Sequence, residues 1–328
     1  MPLLITYDNE TMQDGLGSQA LRILGVFSIA KVLNIGYQHS PIVSFVEEYA
    51  HHLNNDHDET DLLREVNKFF LFPSRILNPK VDQDLVMKEI RILHLLKLKI
   101  RYRFSKKVVL LHLLLPFKIT DRIPLIYLVG ISYLRRLQSR LLIKIDTTVV
   151  HVRRGYGYLY SDPTTLRPRH LPYEYFSAAL EVVSRKFFKD RDFKLIVHTD
   201  LSPIDINFKP HKLQTSVWAL NFSGVEAQSN GLELPGINLE ERIRFPKNSR
   251  VEIQYCSKFM QTFLDMCNCS VLIQSKSSLS YLAGLLNRGV VIWPSSNGHS
   301  KYPSWVNSLK IGLSHQEFKP MMEGSPDL

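Results

Sequence analysis

Features that mark secreted and membrane-spanning proteins are scarce in this chain of 328 residues. The three cysteines, Cys256, Cys267 and Cys269, are an odd number in one short stretch, which does not fit a disulfide framework. The opening "MPLLITYDNETMQDG" has no basic segment before its short apolar run, as an export signal would. The longest apolar runs, "VVLLHLLLPF" and "IPLIYLVGISYL", are shorter than the ~20 residues that cross a bilayer. We therefore expect a cytoplasmic protein without a transmembrane helix.

Several motifs of well-known enzyme classes are also missing. The sequence contains no Walker loop, no complete G-x-G-x-x-G and no G-x-S-x-G, which leaves P-loop kinases, dinucleotide oxidoreductases and α/β-hydrolases unsupported. The acidic pairs "DHD" (56–58), "DQD" (82–84) and "DRD" (190–192) do not directly follow an apolar strand, and "CNC" (267–269) is too short a cluster for zinc. We therefore expect neither a metal site nor a cofactor.

The net charge of +10 is distributed unevenly. Residues 1–60 carry two basic and eight acidic side chains, whereas residues 88–144 carry fourteen basic and two acidic ones, interleaved with Leu, Ile and Val. Two interpretations of this basic helical region stay open. Its helices belong to a globular domain with a solvated basic face, or they attach to an anionic surface such as a membrane periphery or a polyanion.

Hydrophobic patterning predicts an α/β fold with a mainly parallel sheet. "LLITYD" is typical of a buried strand, and "ALRILGVFSIAKVLNIG" predicts a helix that ends at Gly36. From "LLIKIDTTVVHVRRG" onward, strand and helix patterns alternate through "DFKLIVHTD", "SVLIQS", "SSLSYLAGLLN" and "GVVIWPSS". We therefore predict two domains, 1–145 and 146–328, with the ligand beyond the carboxyl ends of the strands.

The segment "HVRRG" is the strongest candidate for a binding site. His151, Arg153 and Arg154 follow a run of β-branched residues, so they stand at the end of a predicted strand. Arginine is suited to bidentate recognition of phosphate. The sequence thus predicts a phosphate site here, and an arginine pair bonding carboxylates across a domain interface is the alternative.

Three further segments place polar or small residues where strands meet helices. The loop "DGLGSQ" brings Gly15 and Gly17 to a helix N-terminus, where they serve a tight turn or a ligand contact. "LIVHTD" delivers His198 and Asp200 to a strand end, and Asp200 either contacts a ribose hydroxyl or caps a helix. "IQSKSS" offers an anion site or a plain N-cap through its serines Ser275, Ser277 and Ser278.

Taken in order, "GLGSQ", "HVRRG", "HTD" and "SKSSLSYLAGLLN" resemble the fucosyltransferase superfamily that contains α-1,2-, α-1,6- and protein O-fucosyltransferases. Those enzymes read approximately GxGNQ, HxRRxD and SxSSFSWW at the corresponding places. The resemblance implies a GT-B glycosyltransferase, with two Rossmann-like domains facing a cleft. It also implies a nucleotide-sugar donor such as GDP-fucose, a glycan acceptor and no obligatory metal. The first domain would be the acceptor side, and nucleic acid is not an expected partner.

The resemblance also implies roles for individual residues. Arg153 and Arg154 would contact the donor diphosphate and His151 would lie by the nucleotide. Ser277 and Ser278 would lie by the phosphates. The "GLGSQ" loop would lie by the reacting sugar. Asp14 is the candidate base for an inverting reaction, and a donor phosphate oxygen is the alternative proton acceptor.

The sequence departs from the family pattern at several positions. Tyr156 stands where the family has Asp after the arginine pair, and Ser18 stands for the Asn of the glycine loop. Thr262 and Ser270 occupy positions where acidic residues are common. Another donor, for example UDP-xylose, is therefore a second hypothesis. A non-catalytic protein that binds polyanions or membranes through residues 88–144 is the third.

Overall fold

The structure is a computed structural model. The described residues are 3–8, 15–45, 59–74, 80–88, 91–153, 171–189, 191–199, 239–255, 257–294, 302–303 and 305–307.

The first sheet consists of four parallel strands in the order β2-β1-β4-β3. The strands are β1 (Leu3–Tyr7), β2 (Gly36–Tyr37), β3 (Gln83–Met87) and β4 (Val109–Leu113). The helices of this half are α1 (Leu16–Val32), α2 (Glu59–Phe69), α3 (Ile92–Arg101), α4 (Phe117–Thr120) and α5 (Tyr127–Leu137), and a 3-10 turn at Pro124–Ile126 leads into α5.

The second sheet has six parallel strands in the order β10-β9-β8-β5-β6-β7. The strands are β5 (Ile145–Val152), β6 (Phe193–Thr199), β7 (Ser249–Tyr255), β8 (Cys269–Ile273), β9 (Val290–Trp293) and β10 (Val306–Asn307). The helices are α6 (Tyr173–Val183), which continues into a π-helical turn at Ser184–Phe188, α7 (Leu239–Arg242), α8 (Phe259–Asn268) and α9 (Ser278–Leu286).

The order of the second sheet identifies where a ligand would bind. The chain starts at β5, builds outward to β6 and β7, then returns to the other side of β5 with β8, β9 and β10. This is the strand order of doubly wound nucleotide-binding sheets. In such sheets the second and third strands are added on one side of the first strand, and the fourth strand is added on its other side. Crevices open at such a reversal because the connecting helices leave in opposite directions. The reversal lies here between β5 and β8.

Helix α1 ends earlier than the sequence predicted. The helix stops at Val32, and Asn34 takes the left-handed conformation with φ of 49°. The Ile35 N–H donates to the Ala30 carbonyl at 2.8 Å and the Asn34 N–H to the Lys31 carbonyl at 3.2 Å, which closes the helix end. The predicted stop at Gly36 is therefore wrong, because Asn34 supplies the left-handed residue and Gly36 already belongs to β2.

One apolar core connects the two sheets. Fourteen of the seventeen residues of α1 are buried, and α1 packs against both α5 and α9. The Phe69 ring meets the edge of Phe263 at 5.4 Å, and Tyr127 meets Tyr281 at 6.4 Å between centroids. The predicted α/β class with parallel sheets is confirmed. The domain boundary at residue 145 and a cleft between two domains stay predictions.

No helix within the described segments is long and apolar enough to cross a membrane.

Candidate functional site

The candidate site lies at the carboxyl ends of β5 and β8, on the two sides of the reversal in strand order. His151 is the penultimate residue of β5, and Arg153 follows that strand directly. Ser275 and Ser277 lie in the turn between β8 and α9. The sequence predicted these residues in separate motifs, and the parallel pairing of β5 with β8 brings them together.

His151 is held by two hydroxyl groups. Its Nδ1 lies 2.9 Å from Ser275 Oγ and 3.2 Å from Ser280 Oγ. The Ser275 N–H donates to Ser280 Oγ at 3.2 Å, so the turn after β8 is tied to the first turn of α9. All three residues are buried. The imidazole therefore has a fixed orientation at the strand end.

Arg153 reaches across to the turn after β8. Its Nη1 donates to Ser277 Oγ at 3.3 Å. Ser277 is the N-cap residue of α9, but its hydroxyl makes no capping hydrogen bond to the helix. The plain N-cap interpretation is therefore wrong for the Ser277 side chain, which faces the guanidinium instead. A guanidinium next to a helix N-terminus is a favourable arrangement for an anion.

Two helix N-termini meet beside these residues. A Cβ built on Gly17, in the first turn of α1, would lie 2.8 Å from the backbone N and Cα of Leu279, in the first turn of α9. Gly15 is the N-cap of α1, and neither helix has an acidic residue in its described first turn. The positive ends of two helix dipoles are thus adjacent. Gly17 permits a close approach of the two helix backbones.

Lys276 is a cationic residue of this turn that the sequence reasoning missed. It lies between Ser275 and Ser277 and is only 8% exposed. Burial lowers the pKa of its amine. The signal was present in the sequence, because the lysine lies inside the strand-to-helix segment "QSKSS" whose serines were singled out.

His198 lies beside His151 on the neighbouring strand but has different partners. The two histidines are paired in register between β5 and β6. His198 Nε2 lies 3.0 Å from an Asp265 carboxylate oxygen, and its Nδ1 lies 3.4 Å from Thr262 Oγ1. Both partners are on α8 and His198 is 1% exposed, so it fastens β6 to α8. Asp265, one helical turn after Thr262, was not predicted.

Some predicted site residues lie outside the described residues. They are Asp14, Arg154, Tyr156 and Asp200. Ser278 begins α9 in the described part of the chain, next to Ser277.

In the segments that the structure describes, no group of three or more His, Cys, Asp or Glu side chains is arranged to hold a metal ion. Asp82 of "DQD" accepts the Val108 N–H at 2.7 Å, and Asp84 lies 3.4 Å from His112. Cys267 and Cys269 are buried thiols, and burial raises the pKa of Cys269 to about 12. Both cysteines therefore belong to the core.

No protein-family model and no curated protein matches the chain. Solved structures that are similar to it include the following two. POFUT1 in complex with GDP is 12% identical with a TM-score of 0.43, covering 88% of this chain and 97% of that one. The fucosyltransferase NodZ from Bradyrhizobium is 11% identical with a TM-score of 0.32, covering 91% of this chain and 97% of that one. Both neighbours are fucosyltransferases, the class that the motifs resemble. At TM-scores below 0.5 the likeness decides neither fold nor function, so a function has to be argued from the site.

Proposed function

We propose that the chain is a glycosyltransferase that moves a sugar, with fucose as the first candidate, from a nucleoside diphosphate to a glycan hydroxyl. The observation that supports this is the cationic, hydroxyl-rich site at the strand reversal. Arg153, His151 and Ser277 converge there beside two helix N-termini. Each of these groups favours a phosphate anion, and the reversal in strand order is where parallel sheets bind nucleotides.

The chemistry needs a group that stabilises the departing diphosphate. As the bond between the sugar C1 and the phosphate oxygen breaks, negative charge builds up on the nucleoside diphosphate. The fixed Arg153 guanidinium and the adjacent helix dipoles would stabilise that charge, which is the task that a metal performs in other transferases. Arg154, outside the described residues, would add a second guanidinium by the resemblance. We therefore propose a reaction without an obligatory metal.

The acceptor hydroxyl loses a proton while its oxygen bonds to C1. In an inverting reaction a carboxylate can take that proton, and Asp14, which directly precedes the N-cap Gly15 of α1, is the candidate. A phosphate oxygen of the leaving diphosphate is the alternative acceptor. In both cases the proton, the sugar and the diphosphate are accounted for without a further reactant.

The identity of the donor depends on positions where this sequence departs from the family pattern. Tyr156 and Thr262 replace acidic residues of the family pattern. Thr262 Oγ1 lies 3.4 Å from His198 Nδ1, and the nearby carboxylate of Asp265 is engaged by the same histidine. UDP-xylose and other nucleotide sugars therefore remain to be compared directly with GDP-fucose.

The test is donor hydrolysis and transfer with GDP-fucose, GDP-mannose, UDP-xylose and UDP-hexoses. We expect one of them to be turned over, and we expect Arg153→Ala to reduce turnover by at least ~100-fold because a preorganised charge partner of the leaving group is lost. Arg250→Ala is the matched control, since Arg250 is exposed at the amino end of β7. It should leave turnover unchanged.

Absence of both turnover and nucleotide binding with every donor would refute the enzymatic proposal. Full activity of a folded Arg153→Ala protein would refute the role of the guanidinium. Circular dichroism of both variants establishes that they are folded.

A further inference from the structure

Large apolar side chains that face solvent are concentrated in one part of the molecule. Of the fifteen such residues in the described chain, eight lie between residues 123 and 145. We call them, together with the exposed basic residues from Arg122 to Lys144, the 123–145 surface. The eight apolar members are Ile123, Leu125, Leu128, Val129, Leu137, Leu141, Ile143 and Ile145.

Helix α5 separates this surface from the core. Its inner face, with Tyr127, Ile131 and Leu134, is buried against α1 and α9. A Cβ on Gly130 would clash with Ser28 Oγ and the Leu24 side chain, so the inner face is already tightly packed. Leu125 in the preceding 3-10 turn, and Leu128 and Val129 on the outer face of α5, are each between 39% and 51% exposed. A large part of each of these side chains therefore remains open to solvent.

The same segment is basic and contains no acid. Between residues 122 and 145 there are five Arg or Lys residues and no Asp or Glu. Arg135 is directed inward, where it donates to backbone carbonyls at the end of α9. The other four are exposed, namely Arg122, Arg136, Arg140 and Lys144. Apolar and cationic side chains are therefore both exposed to solvent along this one segment of the chain.

We propose that the 123–145 surface docks the protein onto an anionic lipid bilayer. The apolar side chains enter the boundary between headgroups and acyl chains, and the four exposed cations meet the anionic headgroups. Because the inner face of α5 stays in the core and the helix is only about 16 Å long against a hydrocarbon thickness of about 30 Å, α5 lies on the membrane.

Charge and chemistry favour a bilayer over two other occupants. A nucleic acid would pair with the cations but would leave eight apolar side chains in water, because its backbone is anionic throughout. A second copy of the chain, docked through the same surface about a two-fold axis, would set four cations against four cations. A bilayer satisfies both kinds of side chain.

Docking through this surface would also orient the candidate site. Helix α5 packs directly on α1 and α9, whose N-terminal turns meet beside Arg153. The rigid packing of these three helices fixes the site at a constant height and orientation above the membrane. The vesicle-binding assay does not depend on transferase activity. The docking proposal and the transferase proposal can therefore be refuted independently of each other.

The test is co-sedimentation of the full chain with vesicles of phosphatidylcholine alone and of phosphatidylcholine with about one third phosphatidylserine. We expect binding to the anionic vesicles only, weakened at high salt. Arg136→Glu/Arg140→Glu should weaken it by at least ~10-fold, since each cation contributes roughly fivefold. Leu125→Ser/Leu128→Ser/Val129→Ser should weaken it by a similar factor.

Matched control variants make the same changes elsewhere. Arg185→Glu/Lys186→Glu alters two exposed cations of the π-helical turn, and Val43→Ser/Leu71→Ser/Val86→Ser alters three other exposed apolar residues. Both should bind as the unaltered protein does. If the serine variant fails to fold, the charge-reversal pair still decides the question.

Several results would overturn the proposal. The first is failure to bind anionic vesicles, and the second is equal loss of binding in the test and control variants. The third is a dimer in light scattering that disappears in the serine variant, which would assign the surface to a second copy. Tight binding of an oligonucleotide without vesicle binding would assign it to nucleic acid.

Discussion

At the end of β5, hydroxyl groups orient His151 and Arg153. His151 is held by Ser275 and Ser280, and Arg153 by Ser277. Preorganised groups of this kind are effective in catalysis because they need little rearrangement as charge develops. The sequence identified His151, Arg153, Ser275 and Ser277 as separate candidates. It could not show that the serines orient the other two, because the partners are more than one hundred positions apart.

Gly17 provides a test of the contact between α1 and α9. In Gly17→Ala the new Cβ would lie 2.8 Å from the Leu279 backbone, so one helix must move. We expect a loss of about 1–3 kcal/mol in the free energy of unfolding, as for other overpacked sites, together with weaker nucleotide binding. Urea denaturation and calorimetric titration with GDP measure the two effects.

The control for this change is Gly25→Ala in the same helix. There the nearest atoms to a new Cβ are side-chain atoms of Pro116 and Thr120 at 3.5 Å, an ordinary contact distance. Alanine favours helix over glycine by up to about 1 kcal/mol, so this variant should be as stable as the unaltered protein or more so. Equal stability of the Gly17 and Gly25 variants would contradict the close approach at the site.

At the level of elements, α9 is fastened at its C-terminus by a residue of another helix. Arg135 of α5 donates to the carbonyls of Leu285, Leu286 and Asn287 at 3.3, 3.2 and 2.8 Å. These groups form the negative end of the helix dipole, so the cation is favourably placed. One end of α9 thus connects the two halves of the chain while the other end contributes to the candidate site.

Removing this connection should destabilise the protein. Arg135→Ala leaves three partly buried carbonyls without their charged donor, and we expect a loss of about 2–3 kcal/mol in the free energy of unfolding. Arg136→Ala is the neighbouring control, because Arg136 is exposed and stacks on the Tyr133 ring. Its effect should stay below about 1 kcal/mol. Urea denaturation compares them, and equal effects would contradict the role of Arg135.

For the whole molecule, the shared core makes a prediction about cooperativity. Because Phe69 packs on Phe263 and Tyr127 on Tyr281, the two sheets should unfold together in one thermal transition. A nucleoside diphosphate at about 100 times its dissociation constant should stabilise the folded state by about 2.7 kcal/mol. It should therefore raise the midpoint temperature of that single transition. Scanning calorimetry tests this. Two separate transitions, of which only one responds to the ligand, would show that the halves are energetically independent.

The sequence by itself determined the α/β class and the strand ends at His151 and Arg153. These follow from local patterns, namely β-branched runs, helical periodicity and the residue types next to them. The end of α1 shows the limit of local patterns. The sequence predicted that the helix ends at Gly36, but Asn34 takes the left-handed conformation that ends it.

Only the tertiary structure decided which of these residues meet. The order of the second sheet places β8 beside β5, so Ser275 reaches His151 across 124 positions of the chain. It also sets Gly17 against Leu279, buries Lys276 and leaves the outer face of α5 in solvent. Helical periodicity predicts that α5 has an apolar face, but it cannot tell which side of a largely apolar helix packs inward. That choice depends on α1 and α9, which are distant in sequence and adjacent only after folding.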